Sequence, residues 1–191
     1  MVPRRGERVL RYVERPDASG QWPPCDRQRG RCRREQFRGA LYTFRRRSTP
    51  YPVLQTFDVP NADMSCVRRL RSNSPLQALV SLNESIFVEC AQALARKTLE
   101  DGGKTDAERI TYAFRRTLAR RPTEPEKKEL LELLEKQRTR LAEGWLNPIE
   151  IATGESKLPT TMPPGATPTQ LAAYTVLSRV LLNLDETITK E

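Results

Sequence analysis

The run TDAERITYAFRRTLARRPTEPE, residues 105–126, decides the fold. Thr105 and Glu108 stand at capping-box spacing, where each side chain satisfies the other's backbone N–H at a helix start. Beyond them Ile110, Ala113, Phe114 and Leu118 recur at steps of three and four, the apolar stripe of an amphipathic helix. That helix has to stop before Pro122, because the residue preceding a proline is pushed out of the α region. Thr123 and Glu126 then repeat the box, and Pro125 is tolerated in a first turn. The helix they open runs to about Glu143 on Leu130, Leu134 and Leu141, with Leu131 and Leu133 widening its stripe.

Towards the N-terminus the same punctuation continues. Asn73 and Ser74 are good N-cap types ahead of Pro75, which opens the segment PLQALVSL. Asn83 ends it and starts a helix over about 84–101, stopped by Gly102-Gly103 and striped by Phe87, Cys90, Ala91, Leu94 and Thr98. Towards the C-terminus, residues 144–167 hold Pro148, Gly154, Pro159, Pro163, Pro164 and Gly165 and predict a long loop. A last helix over about Thr169–Thr187 is apolar on more than one stripe, which marks it as central. Leu177, Val180, Leu181 and Leu184 are its expected core positions, against Phe87 and Phe114. The fold class is all-α: an irregular bundle of four to five helices with an extended lead-in, about Leu41 to Val67, and one long Pro/Gly-rich loop.

Composition removes whole classes of chemistry. The 191 residues amount to about one domain and contain no histidine, which excludes Ser-His-Asp and Cys-His machinery and His-ligated zinc. No apolar run approaches the roughly 18 residues of a membrane helix, and the start lacks the apolar core of a signal peptide. The chain as it stands would therefore be cytoplasmic. Cys25, Cys32, Cys66 and Cys90 lack C-x-x-C spacing, so neither metal nor cofactor is expected. Cys90 sits on an apolar stripe and reads as core; Cys66, beside two arginines, reads as buried or as a reactive thiol.

The formal charge of +9 is unevenly placed. Residues 1–49 hold 14 Lys/Arg and 5 Asp/Glu, while residues 50–191 hold 19 of each. Residues 1–38 form a basic arm with little periodicity, read either as a disordered tail or as a mis-translated segment. Polyanion or nucleic-acid binding through that arm is one candidate activity, although nucleic acid is not the expected partner. Tyr42, Phe44, Tyr51 and Phe57 surround Arg45–Arg47 and are expected to anchor the lead-in rather than to stack on bases.

The densest polar constellation is Asp58, Asn61, Asp63, Cys66, Arg68, Arg69, Arg71, Asn73 and Gln77. Such a cluster can bind a carboxylate, phosphate or sugar through guanidinium forks. It can equally cap helices and pair internally, fixing an extended segment against the bundle. Asp58, Asp63, Arg68, Arg69, Arg71, Asn73 and Gln77 are the candidate binding or structural residues, and no catalytic residue is assigned. Asp58 or Asp63 is expected to accept hydrogen bonds from Arg68, Arg69 or backbone N–H groups near Pro75.

The run GALYTFRRRSTPYPVLQTFDVPNADMSCVRRLRSNSPLQALVSLNE, residues 39–84, resembles a C-terminal domain of unknown function, the DUF1553 type. That domain belongs to planctomycete multidomain proteins that also carry a planctomycete cytochrome c domain. YAFRRTLARRPTEPE and the ending SRVLLNLDETITKE are similar to the same family, extending the resemblance over about 39–191. It implies motif positions only: Tyr42, Phe44, Asp58, Cys66, Arg68, Arg69, Asn73, Pro75, Leu76, Gln77, Asn83, Asn183, Asp185 and Glu186. It also implies an extracytoplasmic parent protein with upstream domains as partners. The arm before residue 39 does not match the family's upstream sequence. The expected function is a non-enzymatic binding or structural module of that parent; the alternative is a share in an enzyme or ligand site built on Asp58–Gln77 with upstream domains.

Overall fold

The computed structural model describes residues 52–60, 64–68, 72–144, 146–154, 162–163 and 165–189. The basic arm, the lead-in aromatics Tyr42, Phe44 and Tyr51, and residues 155–161 lie outside the described residues. Eight helices and no strand are present among those described: α1 Pro52–Thr56, α2 Pro75–Asn83, α3 Ser85–Asp101, α4 Asp106–Leu118, α5 Glu124–Ala142, α6 Pro148–Thr153, α7 Pro168–Leu182 and α8 Asp185–Ile188. The fold is all-α, and all eight helices belong to the unit Pro52–Pro60 with Ser65–Glu191.

Helices α2, α4 and α5 start where their caps predict. Ser74 and Gln77 form a capping box on α2, as do Thr105 and Glu108 on α4. On α5 the Glu126 carboxylate receives both the Thr123 N–H, at 2.7 Å, and the Thr123 hydroxyl, at 2.8 Å. Chain reversal after α4 is made by Ala119 at φ 60°, a left-handed residue that stops the helix ahead of Arg121-Pro122.

The centre of the bundle is α7, which packs against α3, α4, α5 and α6 and also meets α2 and α8. Leu171 to Thr175, Leu177, Ser178 and Leu181 are all buried, so this helix has no solvent stripe to speak of. Small residues let it approach α3 closely: Ala91 and Ala95 on one side, Ala172 and Ala173 on the other, all fully buried. Ile110, Ala113 and Phe114 of α4 and Leu130, Leu134 and Leu141 of α5 complete the core.

Four expectations need correction. The stretch expected to be loop contains α6: the Asn147 side chain accepts from the Ile149 N–H at 3.1 Å, Pro148 sits in the first turn, and Gly154 closes the helix at φ 74°. Pro148 and Gly154 bound a helix here, and Ala152 buries its side chain in the core. The last helix ends at Leu182, because Asn183 and Leu184 leave helical geometry before Asp185 starts α8. The lead-in is not wholly extended, since Pro52 nucleates the turn of α1. Finally, Val180, Leu184, Phe87 and Cys90 are half-buried and Cys66 is exposed, while Leu177, Leu181 and Phe114 are core as expected.

Candidate functional site

Asp58 lies just past α1 with φ 55°, a left-handed conformation that short polar side chains tolerate. Its Oδ2 accepts from the Ser72 N–H at 2.8 Å and the Ser72 hydroxyl at 2.6 Å. This is the backbone partner near Pro75 that the spacing predicts. Gln77, only 1% exposed, fills the gap between α1 and α2. Its amide nitrogen reaches the Thr56 carbonyl at 2.8 Å, the Ser72 hydroxyl at 3.1 Å and Asp58 Oδ2 at 3.4 Å. Its Oε1 accepts from the Ser74 N–H at 3.3 Å, which completes the α2 cap.

Asn73 extends this knot across the chain by donating to Asp185 Oδ1 at the start of α8. Arg179 of α7 donates to the Leu82 carbonyl at the end of α2. Two motif segments far apart in sequence, around residues 73–83 and 179–185, are thus tied together. Of the candidate residues, Asp58, Asn73 and Gln77 belong to this network. Arg68 is exposed, and its carbonyl accepts from the Cys66 thiol at 3.2 Å. Asp63, Arg69, Arg71 and Asn61 lie outside the described residues.

A second knot joins α4, α5 and α8 through Arg120, which sequence reasoning missed. Its guanidinium donates bidentately to Glu186, twice at 2.9 Å, and to Glu126, at 3.0 and 2.7 Å. The guanidinium carbon stands 4.8 Å from the Phe114 ring centre, a cation–π stack. Arg120 first, then the Thr123 N–H, hold the Glu126 carboxyl down at about 2. A depressed carboxylate contributes stability above its ordinary pKa, near 4.3, and loses it as pH falls towards the folded value. Thermal melts between pH 5 and pH 2.5 should therefore show a smaller acid-induced drop in Tm for Glu126→Gln than for the unmodified chain. Parallel curves would remove the clamp from the acid response.

A third network is built on Asp106 at the start of α4. Arg138 donates to it bidentately at 2.8 and 3.0 Å, and the fully buried Tyr174 donates its hydroxyl at 2.7 Å. The Arg138 bonds, ahead of that from Tyr174, hold the Asp106 carboxyl below the usual range. Burial first, and then this bond, push the Tyr174 phenol well above its own. Burial, with Glu89 behind it, raises the Cys90 thiol.

One concavity of about 750 Å³ runs beside α4 and the start of α5, and none of the predicted cluster lines it. Among the described residues no group of three or more Cys, Asp or Glu is placed to hold a metal ion. No described helix is long and apolar enough to cross a membrane.

These features define a helical domain whose densest polar motifs tie its own segments together. The chain belongs to the family described as Protein of unknown function (DUF1553), whose model matches residues 5–134. That span takes in most of the basic arm, α1 to α4 and the first part of α5. Comparison with curated proteins and comparison with solved structures each return no match.

Proposed function

We propose that this chain is a non-enzymatic binding or structural module of a larger extracytoplasmic multidomain protein. The observation that carries the reading is the fate of the described members of the polar cluster. Asp58, Ser72, Asn73 and Gln77 spend their hydrogen-bonding groups on α1, the α2 cap and α8, whereas an enzyme site needs polar groups convergent on a concavity. Further support comes from α2, whose Leu76 and Leu79 stand outward at 56% and 57% exposure, one turn apart, opposite buried Gln77 and Ser81. An apolar pair on a helix that is otherwise well anchored suits contact with another part of the parent protein. The family match from residue 5 also supports the arm as genuine family sequence over a mis-translated segment.

The test begins with the DNA upstream of the gene, translated in all three frames. A polypeptide encoded there, produced separately and mixed with the full 191-residue chain, should co-elute with it on size exclusion. Separate elution at high concentration would sink the docking reading. Turnover of a carboxylate or sugar substrate that Asp58→Asn abolishes without unfolding the chain would favour the enzyme reading instead.

A further inference from the structure

Four arginines of α4, α5 and their connection form two contrasting pairs. Arg120 and Arg138 each grip two carboxylates. Arg115 and Arg116, on the last turn of α4, meet none among the described residues. Arg116 donates one bond, at 3.2 Å, to the Tyr112 hydroxyl and lies over its ring. Both arginines line the concavity beside α4, as does Lys127, whose ammonium is 4.0 Å from mostly exposed Glu124.

The single carboxylate in that lining, Glu108, keeps its charge and offsets only one of the three. Glu108 is already committed to the α4 cap, where its Oε2 accepts from the Lys104 and Thr105 N–H groups, both at 3.0 Å. Three cations with open donor positions therefore share one groove, whose lining includes the small side chains Ala107 and Ala119. Guanidinium forks of this kind match carboxylates bidentately, and short side chains leave room for a backbone to approach.

We propose that this groove docks an acidic, carboxylate-rich peptide segment, with Arg115 and Arg116 as its bidentate contacts and Lys127 as a third charge. The proposal rests on the reading of the chain as a docking module and names the chemistry of one surface. Nucleic acid fits this groove less well. Tight phosphate binding draws on many cations along a backbone, and one face of the Tyr112 ring already lies under Arg116.

Fluorescence anisotropy of a labelled oligoglutamate peptide on the full chain tests it, with the basic arm present throughout. Arg115→Gln with Arg116→Gln should weaken binding by about tenfold or more. Lys128→Gln with Lys136→Gln removes the same charge from exposed α5 positions outside the groove and should change binding less than about twofold. Thermal melts confirm that both variants fold. Equal losses in the two variants would assign the binding to general charge and overturn the groove. So would a single-stranded oligonucleotide that binds more tightly and is lost in the same groove variant. Failure here alongside co-elution of the upstream polypeptide would leave the docking reading standing without the groove. Groove binding without co-elution would sustain the groove and discard the upstream polypeptide as its partner.

Discussion

Leu181→Ala should lower stability by about 2–5 kcal/mol, the range for truncating a fully enclosed leucine. Leu181 is 0% exposed on α7 and belongs to the cluster that joins α3, α4, α5 and α7. Neighbouring elements are already close-packed, so the cavity left behind cannot collapse fully. Leu184, three residues on, is only half-buried, because the chain has left the helix by then. Leu184→Ala should cost about 1–2 kcal/mol, in proportion to the smaller area it removes from water. Urea denaturation of both variants reads the difference. Equal losses would mean that α7 continues through residue 184 in solution.

Asp106→Ala should be the most damaging polar change, about 2–4 kcal/mol. It strips two bonds from Arg138 and leaves the Tyr174 hydroxyl, on a fully buried residue, without an acceptor. Tyr174→Phe removes only one bond and takes its own polar group away with it, so about 1 kcal/mol is expected. In a double-mutant cycle the two changes should couple by about 0.5–3 kcal/mol, because the second has little left to break once Asp106 is gone. Additive losses would show that the hydroxyl finds another partner. Since the Asp106 carboxyl is held below its usual range, the contribution is present at neutral pH and is lost as acid protonates it.

How much of this is legible in the sequence depends on the range of the interaction. The Thr105–Glu108 box and a stop ahead of Arg121-Pro122 involve groups within a few residues, and local spacing specifies them. The breadth of apolar positions in α7 likewise shows its central place. Helix α6 is hidden because Pro148 and Gly154 look like breakers, although Asn147-Pro148 and Gly154 are also the marks of a short helix's two ends. Arg120 and Glu186 are 66 residues apart, Tyr174 and Asp106 are 68 apart, and Asn73 and Asp185 are 112 apart. No periodicity connects such positions; only packing on α7 brings them together. Within the candidate cluster, spacing marks Asp58 or Asp63 as an acceptor. It does not identify Ser72 as the donor or show that Gln77 is buried, since both depend on the left-handed turn at Asp58.

The position of α7 has a consequence for how the chain is made. Synthesis delivers α3, α4 and α5 first, and the principal partner of α3 and of α5 is α7, which is made after them. Roughly 40 residues separate the end of α5 from the end of α7, or about 2–8 s of elongation at ordinary rates. Throughout that interval Ala95, Ile110, Leu130 and their neighbours lack the part of their cover that α7 supplies. The core is therefore completed only when residues 168–182 slot between helices made before them.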